Sequence, residues 1–377
     1  MRKLIERQRN ILDFTLSSLL RRKGKNSALL LVYTGTIFIL ASVLFLTGAL
    51  RREAALVLEA APDIVVQRTM AGRYQPIPLA YAEEIGRIRG VASVWPRLWG
   101  YHYDAAFRAN YTLMAQVESP PERGTIRIGS GISRMRGARR GDIIALPGHD
   151  GQSRSFTVGQ VLDHRSQLLS SDLMLLSEKD YRDFSGFPTD RATDLAVRVR
   201  NPREQSTVAE KISRMYPDTR PIMRTEILRT YDAVFGWRSG VVMLSFCGAA
   251  LAFGIFAWDK ATGLSAEERK EIGILKAVGW ETSDILLMKG WEGMVISLTA
   301  FLGGILLAYA HVFLASSILF APVLKGWSIL YPEFRLSPLL DVGQLATLFF
   351  LTVVPYTVTT IVPSWRIATV DPDSVMR

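Results

Sequence analysis

Residues 26–50 read NSALLLVYTGTIFILASVLFLTGAL, 25 residues without a formal charge. An α-helix rises about 1.5 Å per residue, so about 20 such residues cross the hydrocarbon core of a bilayer. The run also exceeds the roughly 7–15 apolar residues of a secretory signal, and a retained membrane helix is expected. Three further runs share its character: 239–258, 293–324, which contains His311 but no formal charge, and 342–365. Overall composition, 49% hydrophobic and 21% charged, does not by itself separate a soluble from a membrane protein. The distribution does, because buried helices of soluble proteins rarely run this long without a charge. The sequence therefore reads as an α-helical membrane protein with four transmembrane helices, at 26–50, 239–258, 290–320 and 342–362.

The flanking charge sets the expected orientation. Residues 1–25 hold eight Lys/Arg against Glu6 and Asp13. That excess beside a span is the positive-inside pattern and an attraction to anionic lipid, so the net charge of +10 needs no nucleic-acid partner. A cytoplasmic N-terminus and four spans put the tail, 363–377, in the cytoplasm too. Residues 51–238 are then extracytoplasmic, with Arg51 and Arg52 a mild exception, since long domains translocate largely regardless of charge. The 259–289 loop is cytoplasmic and the 321–341 loop short and external. Within 1–25, Leu4, Gln8, Ile11/Leu12, Leu16 and Leu19/Leu20 recur at helical spacing, as in an amphipathic helix lying on membrane lipid. The single cysteine, Cys247, excludes an internal disulfide and reads as a small packing residue.

Between the first two spans the pattern is mixed α/β. Strands are expected at 63–67, 90–95, 143–146, 155–162 and 194–199, helices at 78–88 and 204–215, and a hairpin across 101–117. Two βαβ-like arms flanking a β-rich insertion near 125–175 result. Residues 51–59 and 225–237 read as helical continuations of the adjoining spans.

The segment richest in mechanism is 267–280, EERKEIGILKAVGW. A charged entry leads into a short helix with Ile272, Leu275 and Val278 at three-residue steps. Gly273 and Gly279 lack side chains, so another surface could approach closely, and Gly279 is a natural helix stop. Glu271 to Gly279 closely resembles the coupling-helix signature of FtsX-like/MacB-like ABC permeases. Asp284-Ile285, Glu292 and Gly303-Gly304 resemble the family's third span, next after that signature. Residues 363–372 (PSWRIATVDP) resemble the family's closing motif, with one extra residue before Ala368. Leu19–Gly24 resembles its entry to the first span, and Gly90–Val94 its external domain. The resemblance runs along the whole chain in the family's order.

The resemblance implies a mechanotransmission permease of the bacterial inner membrane that pairs with a second permease, as a homo- or heterodimer. Each copy would dock a cytoplasmic ABC ATPase through Glu271, Ile272, Gly273, Leu275, Lys276, Val278 and Gly279. A periplasmic adaptor or a lipoprotein is a further possible partner. The chain shows no GxxxxGK[ST] sequence, so ATP and Mg are expected on a separate ATPase, with no cofactor or metal bound directly. His102, His149, His164 and His311 form no metal-ligand spacing, and no nucleophile elbow is present, so no catalytic residue is assigned. Asp63, Asp104 and Asp163 are ordinary candidates for acid chemistry. Glu292 and His311, ionisable residues within or beside the third span, are candidate intramembrane sites, with Lys289 placed to pair with Glu292. The large external domain favours export, extrusion or release of a lipoprotein, lipid, peptide, haem or drug. The alternative is a signalling permease that activates an external partner such as a cell-wall hydrolase.

Overall fold

The computed structural model describes residues 2–59, 61–162, 170–235, 247–248, 266–322, 330, 336–338 and 340–368. They divide into two compact units, one of Met1–Leu50, Phe235–Ile318 and Leu336–Arg377, the other of Arg51–Val234 and Leu319–Arg335. The chain opens with α1 (Arg2–Arg21), then α2 (Lys23–Glu59), which continues nine residues past Leu50 without a break.

The second unit is built on two sheets. After α2 come β1 (Ile64–Met70), β2 (Arg73–Gln75), β3 (Ile77–Pro78), α3 (Ala80–Gly86) and β4 (Val91–Arg97). Next are β5 (Trp99–Asp104), β6 (Ala109–Ala115), β7 (Thr125–Ile128), α4 (Ser130–Arg136), β8 (Ile143–Pro147), β9 (Ser153–Val161), β10 (Leu173–Leu176) and α5 (Glu178–Ser185). The unit closes with β11 (Arg191–Ala192), β12 (Asp194–Val199), α6 (Gln205–Met215), β13 (Thr219–Met223) and α7 (Arg224–Phe235).

The two arms expected from the sequence are not separate. Their strands interleave in the order β13-β1-β12-β4, all antiparallel, with β2 added to β1. This is a split βαβ arrangement, in which each arm completes the other's sheet. A shared core holds it together: Ile64 and Val66 of β1 and Leu195, Val197 and Val199 of β12 are buried with Ile85 of α3 and Val208 and Ile212 of α6. Both edge strands carry a proline, Pro96 in β4 and Pro221 in β13, which removes a donor where another strand could add.

The insertion is larger than 125–175. Its six-stranded sheet, β5-β6-β10-β7-β9-β8, begins at Trp99. The β5–β6 hairpin belongs to it because β6 pairs in parallel with β10, Thr112 opposite Leu173. Such a long-range parallel pairing leaves no local trace in sequence.

The first unit resumes with α8 (Ala266–Ala277), α9 (Thr282–Tyr309), a π-helical turn at Ala310–Leu314 and α10 (Val342–Ala368). Three helices among the described residues are long and apolar enough to cross a membrane: Asn26–Glu53, Thr282–Leu314 and Val342–Ile361. The expected span at 239–258 lies outside the described residues except for Cys247 and Gly248. Cys247 is exposed, not a packed residue. The three helices meet through small side chains. A Cβ on Gly304 of α9 would lie 2.6 Å from Ile37 Cγ2 and 3.1 Å from the Phe38 nitrogen of α2. Gly293 meets Thr357 and Thr360 of α10 in the same way. Where hydrocarbon surrounds both helices, such close backbone approach replaces the hydrophobic effect as the source of association. Tyr33 of α2 adds a hydrogen bond, donating to the Thr352 carbonyl at 2.7 Å.

Candidate functional site

Helix α8 has one buried and one exposed side. Ile272, Gly273 and Leu275 are buried, whereas Lys270, Ala277, Ile274 (49% exposed) and Val278 (75%) face outward. At about 100° per residue, positions 270, 274, 277 and 278 share one arc and 272, 273, 275 and 276 the opposite one. Gly273 is therefore turned inward, and it does not offer the open approach to an outside surface that its lack of a side chain suggested. The outward stripe is Ile274 and Val278, an i,i+4 pair of which three-residue periodicity picked out only Val278.

Gly279 ends the helix by geometry. Its φ is +101°, its N–H donates to the Lys276 carbonyl and the Trp280 N–H donates to the Leu275 carbonyl, each at 3.0 Å. These two bonds make a Schellman cap, which a residue with a Cβ adopts only under strain. The cap turns Trp280 back onto the protein, where it packs against Ile272 and Ile285 on one side and Ile11, Leu275 and Met288 on the other. Its ring lies 5.2 Å from that of Phe14.

The buried side of α8 rests on α1 and the start of α9. Along α1, Ile11 and Thr15 are buried, while Leu16 and Leu20 remain exposed beside Arg9 and Lys23. One stripe of α1 is thus used within the protein and a second is left for an apolar surface. Polar contacts hold both ends of α1. Arg7 Nε donates to Asp284 Oδ1 at 2.9 Å and Arg7 Nη2 to Glu281 Oε2 at 3.3 Å, and these two acids form the capping box of α9. Trp291 Nε1 donates to Gln8 Oε1 at 3.0 Å. At the other end, the Glu271 carboxylate receives Arg22 Nη2 at 2.8 Å and the Ser18 hydroxyl at 3.3 Å, with Arg21 at 3.8 Å. Nothing in the local sequence ties Arg7, Ser18 or Arg22 to α8 and α9, because each contact spans about 250 residues or more of chain.

Glu292 and His311 lie on α9 and the π turn after it. Nineteen residues of helix separate them by roughly 28 Å, so they are not one site. Lys289 Nζ sits 2.6 Å from Glu292 Oε2, a partly buried i,i+3 pair. The His311 ring faces Phe38 edge-on at 5.4 Å, with Nδ1 3.2 Å from Ser42 Oγ. His311 thus joins α9 to α2 in the same region as Gly304.

In the second unit the aspartates are spent on structure. Asp63 accepts from the Val199 N–H and Gln205 Nε2 and pairs with Arg224 at 3.4 Å. Asp104 accepts from the Tyr111 hydroxyl and from Arg136. Although burial opposes ionisation of Asp104, these two partners hold its pKa below the usual carboxylate range. Asp163 lies outside the described residues. An open cleft of about 680 Å³ is lined by Trp95, Arg97, Met114, Val117, Glu118 and Arg198, among others.

Residues 242–372 match the family model described as FtsX-like permease C-terminal. No curated protein matches the chain. Among solved structures it is similar to the periplasmic region of MacB from Actinobacillus actinomycetemcomitans, at 8% identity and a TM-score of 0.31 over 45% of this chain and 92% of that one. It is also similar to the extracellular domain of the noncanonic ABC-type transporter YknZ from Gram-positive bacteria, at 11% identity and a TM-score of 0.30 over 42% of this chain and 98% of that one. Over residues 242–372 the chain is thus similar to the C-terminal part of FtsX-like permeases, and three of its described helices are long and apolar enough to cross a membrane.

Proposed function

We propose that this chain is the permease subunit of an inner-membrane ABC complex that turns ATP hydrolysis by a separate ATPase into movement of residues 51–238 outside the membrane, driving export, extrusion or release of a substrate. The observation that carries this reading is the Ile274–Val278 stripe. It is exposed on a short helix whose opposite side is fixed by Trp280, α1 and the start of α9. An apolar stripe on a rigidly mounted helix is suited to seat in a partner's groove and to pass a push on rather than absorb it. Both termini are assigned to the cytoplasm, which puts α8 within reach of the ATPase. Two permease copies would face a dimeric ATPase. The cleft beside Trp95 and Arg198 is a place in the second unit where a substrate group could be held.

The test is co-purification of the full chain with the cytosolic ABC ATPase encoded beside it. Ile274→Asp and Val278→Asp should each lower ATPase retention about tenfold, the order of a single interface anchor. Permease abundance in the membrane should be unchanged. Retention of the ATPase by the Ile274→Asp/Val278→Asp double variant would remove α8 as the docking element. ATP-dependent release of substrate from vesicles would favour extrusion, and stimulation of a cell-wall hydrolase without release would favour signalling.

A further inference from the structure

The signature glutamate of α8 is engaged within the chain. Glu271 stands at the border of the buried arc with about three-quarters of its side chain covered. Its two carboxylate oxygens are taken from within the chain. Oε2 receives Arg22 Nη2 at 2.8 Å, and Oε1 receives the Ser18 hydroxyl at 3.3 Å and lies 3.8 Å from Arg21. Ser18, Arg21 and Arg22 are spaced i, i+3 and i+4, so one turn of helix presents all three donors to one carboxylate. Arg22 occupies the joint between α1, which ends at Arg21, and α2, which begins at Lys23.

That position matters because α2 is the helix that carries the chain onward to Glu59. We infer that Glu271 is a positioning residue, an ionic strut that fixes α8 to the root of α2 through Arg22. A displacement of α8 then reaches α2 directly, not only through the loosely directional packing of Leu275 and Trp280. A charge-assisted contact suits this task. It is short and directional, and it resists both separation and sliding, whereas apolar contact resists separation alone. The inference rests on the proposed docking of an ATPase at α8 for its mechanical meaning, but not for the strut itself.

The experiment uses the full chain in nanodiscs, with Cys247 replaced by Ser and spin labels at two exposed positions, Leu31→Cys on α2 and Val278→Cys on α8. Double electron–electron resonance reads the distance distribution between them. The parent should give one narrow distribution. Arg22→Glu and Glu271→Arg should each broaden it at least twofold, and the combined exchange Arg22→Glu/Glu271→Arg should narrow it again. Rescue by exchange is not expected of residues that merely support folding. Unchanged widths in the single variants, or no recovery in the exchange, would overturn the strut. A parallel ATPase co-purification, done on unlabelled chains with Val278 intact, separates the two ideas. If Glu271→Arg loses the ATPase while Arg22→Glu keeps it, Glu271 contacts the partner and the inference fails. If the parent itself binds no ATPase, the proposed function fails while the distance widths still decide the strut.

Discussion

The Lys289 ammonium lies 2.6 Å from the Glu292 carboxylate, one helical turn apart in α9, with side chains 7% and 16% exposed. The pair sits near the start of an apolar helix, where either charge alone would be costly to desolvate. Lys289→Met is expected to cost up to about 3–5 kcal/mol, because it removes the ammonium that faces the carboxylate at 2.6 Å. The double change Lys289→Met/Glu292→Gln should cost clearly less. Thermal unfolding of the detergent-solubilised chain compares them, and equal losses would show that the two charges do not compensate each other.

Gly304 marks a close approach of α9 to α2. With a Cβ there placed 2.6 Å from Ile37 and 3.1 Å from backbone, Gly304→Val should lower stability by about 1–3 kcal/mol. Its neighbour is a control. A Cβ on Gly303 would stand 3.4 Å from Thr34, so Gly303→Ala should be nearly neutral. The same thermal assay reads both.

The two glycines of α8 should fail for different reasons. Gly279→Ala forces a Cβ into φ +101° and should fray the cap by about 1 kcal/mol, without any clash, since no atom lies within 4 Å of that Cβ. Gly273→Trp puts an indole on the buried side and should reduce membrane abundance, in contrast to Ile274→Asp. Quantitative immunoblotting of membranes distinguishes the three. Normal abundance of Gly273→Trp would mean that this side of α8 is open.

His102 should make the insertion sensitive to acid. Burial lowers its pKa; the Arg136 cation adds to this and Asp104 opposes it. Its ring lies 5.1 Å from that of Phe184 and 6.4 Å from that of Tyr111, and Nε2 is buried without a hydrogen-bond partner. A base whose folded pKa lies below its unfolded value contributes full stability above the unfolded pKa, about 6.5. That contribution is lost as pH falls from there through the folded pKa. Unfolding of residues 51–234 followed between about pH 8 and pH 5 should show the loss, and His102→Phe should flatten it. An unaltered pH profile in that variant would assign the sensitivity elsewhere.

Some of this protein is legible in sequence because the physics is local. A charge is excluded from hydrocarbon wherever the residue sits, so the apolar helices at 26–50, 290–320 and 342–362 can be read from composition alone. Strands such as Asp194–Val199 and the helix at Gln205–Met215 announce themselves by period. Gly279 is likewise a local matter, since the helix stop depends on a few consecutive residues. The insertion's true start at Trp99 is not legible, because β6 joins β10 about 60 residues away.

The same division runs through the candidate site. Sequence by itself determined that this is an apolar-helix membrane chain with a mixed α/β domain and a short helix within 267–280. Only tertiary structure decided which side of that helix is free. Gly273, which read as a partner contact, turns inward, Glu271 is held by Arg22, and Ile274 joins Val278 outside. The physical reason is that the facing of a short helix depends on what packs against it. Ile11, Phe14 and Arg22 lie some 250 residues away in the chain and meet α8 only once the chain has folded, so no window of the sequence contains the information.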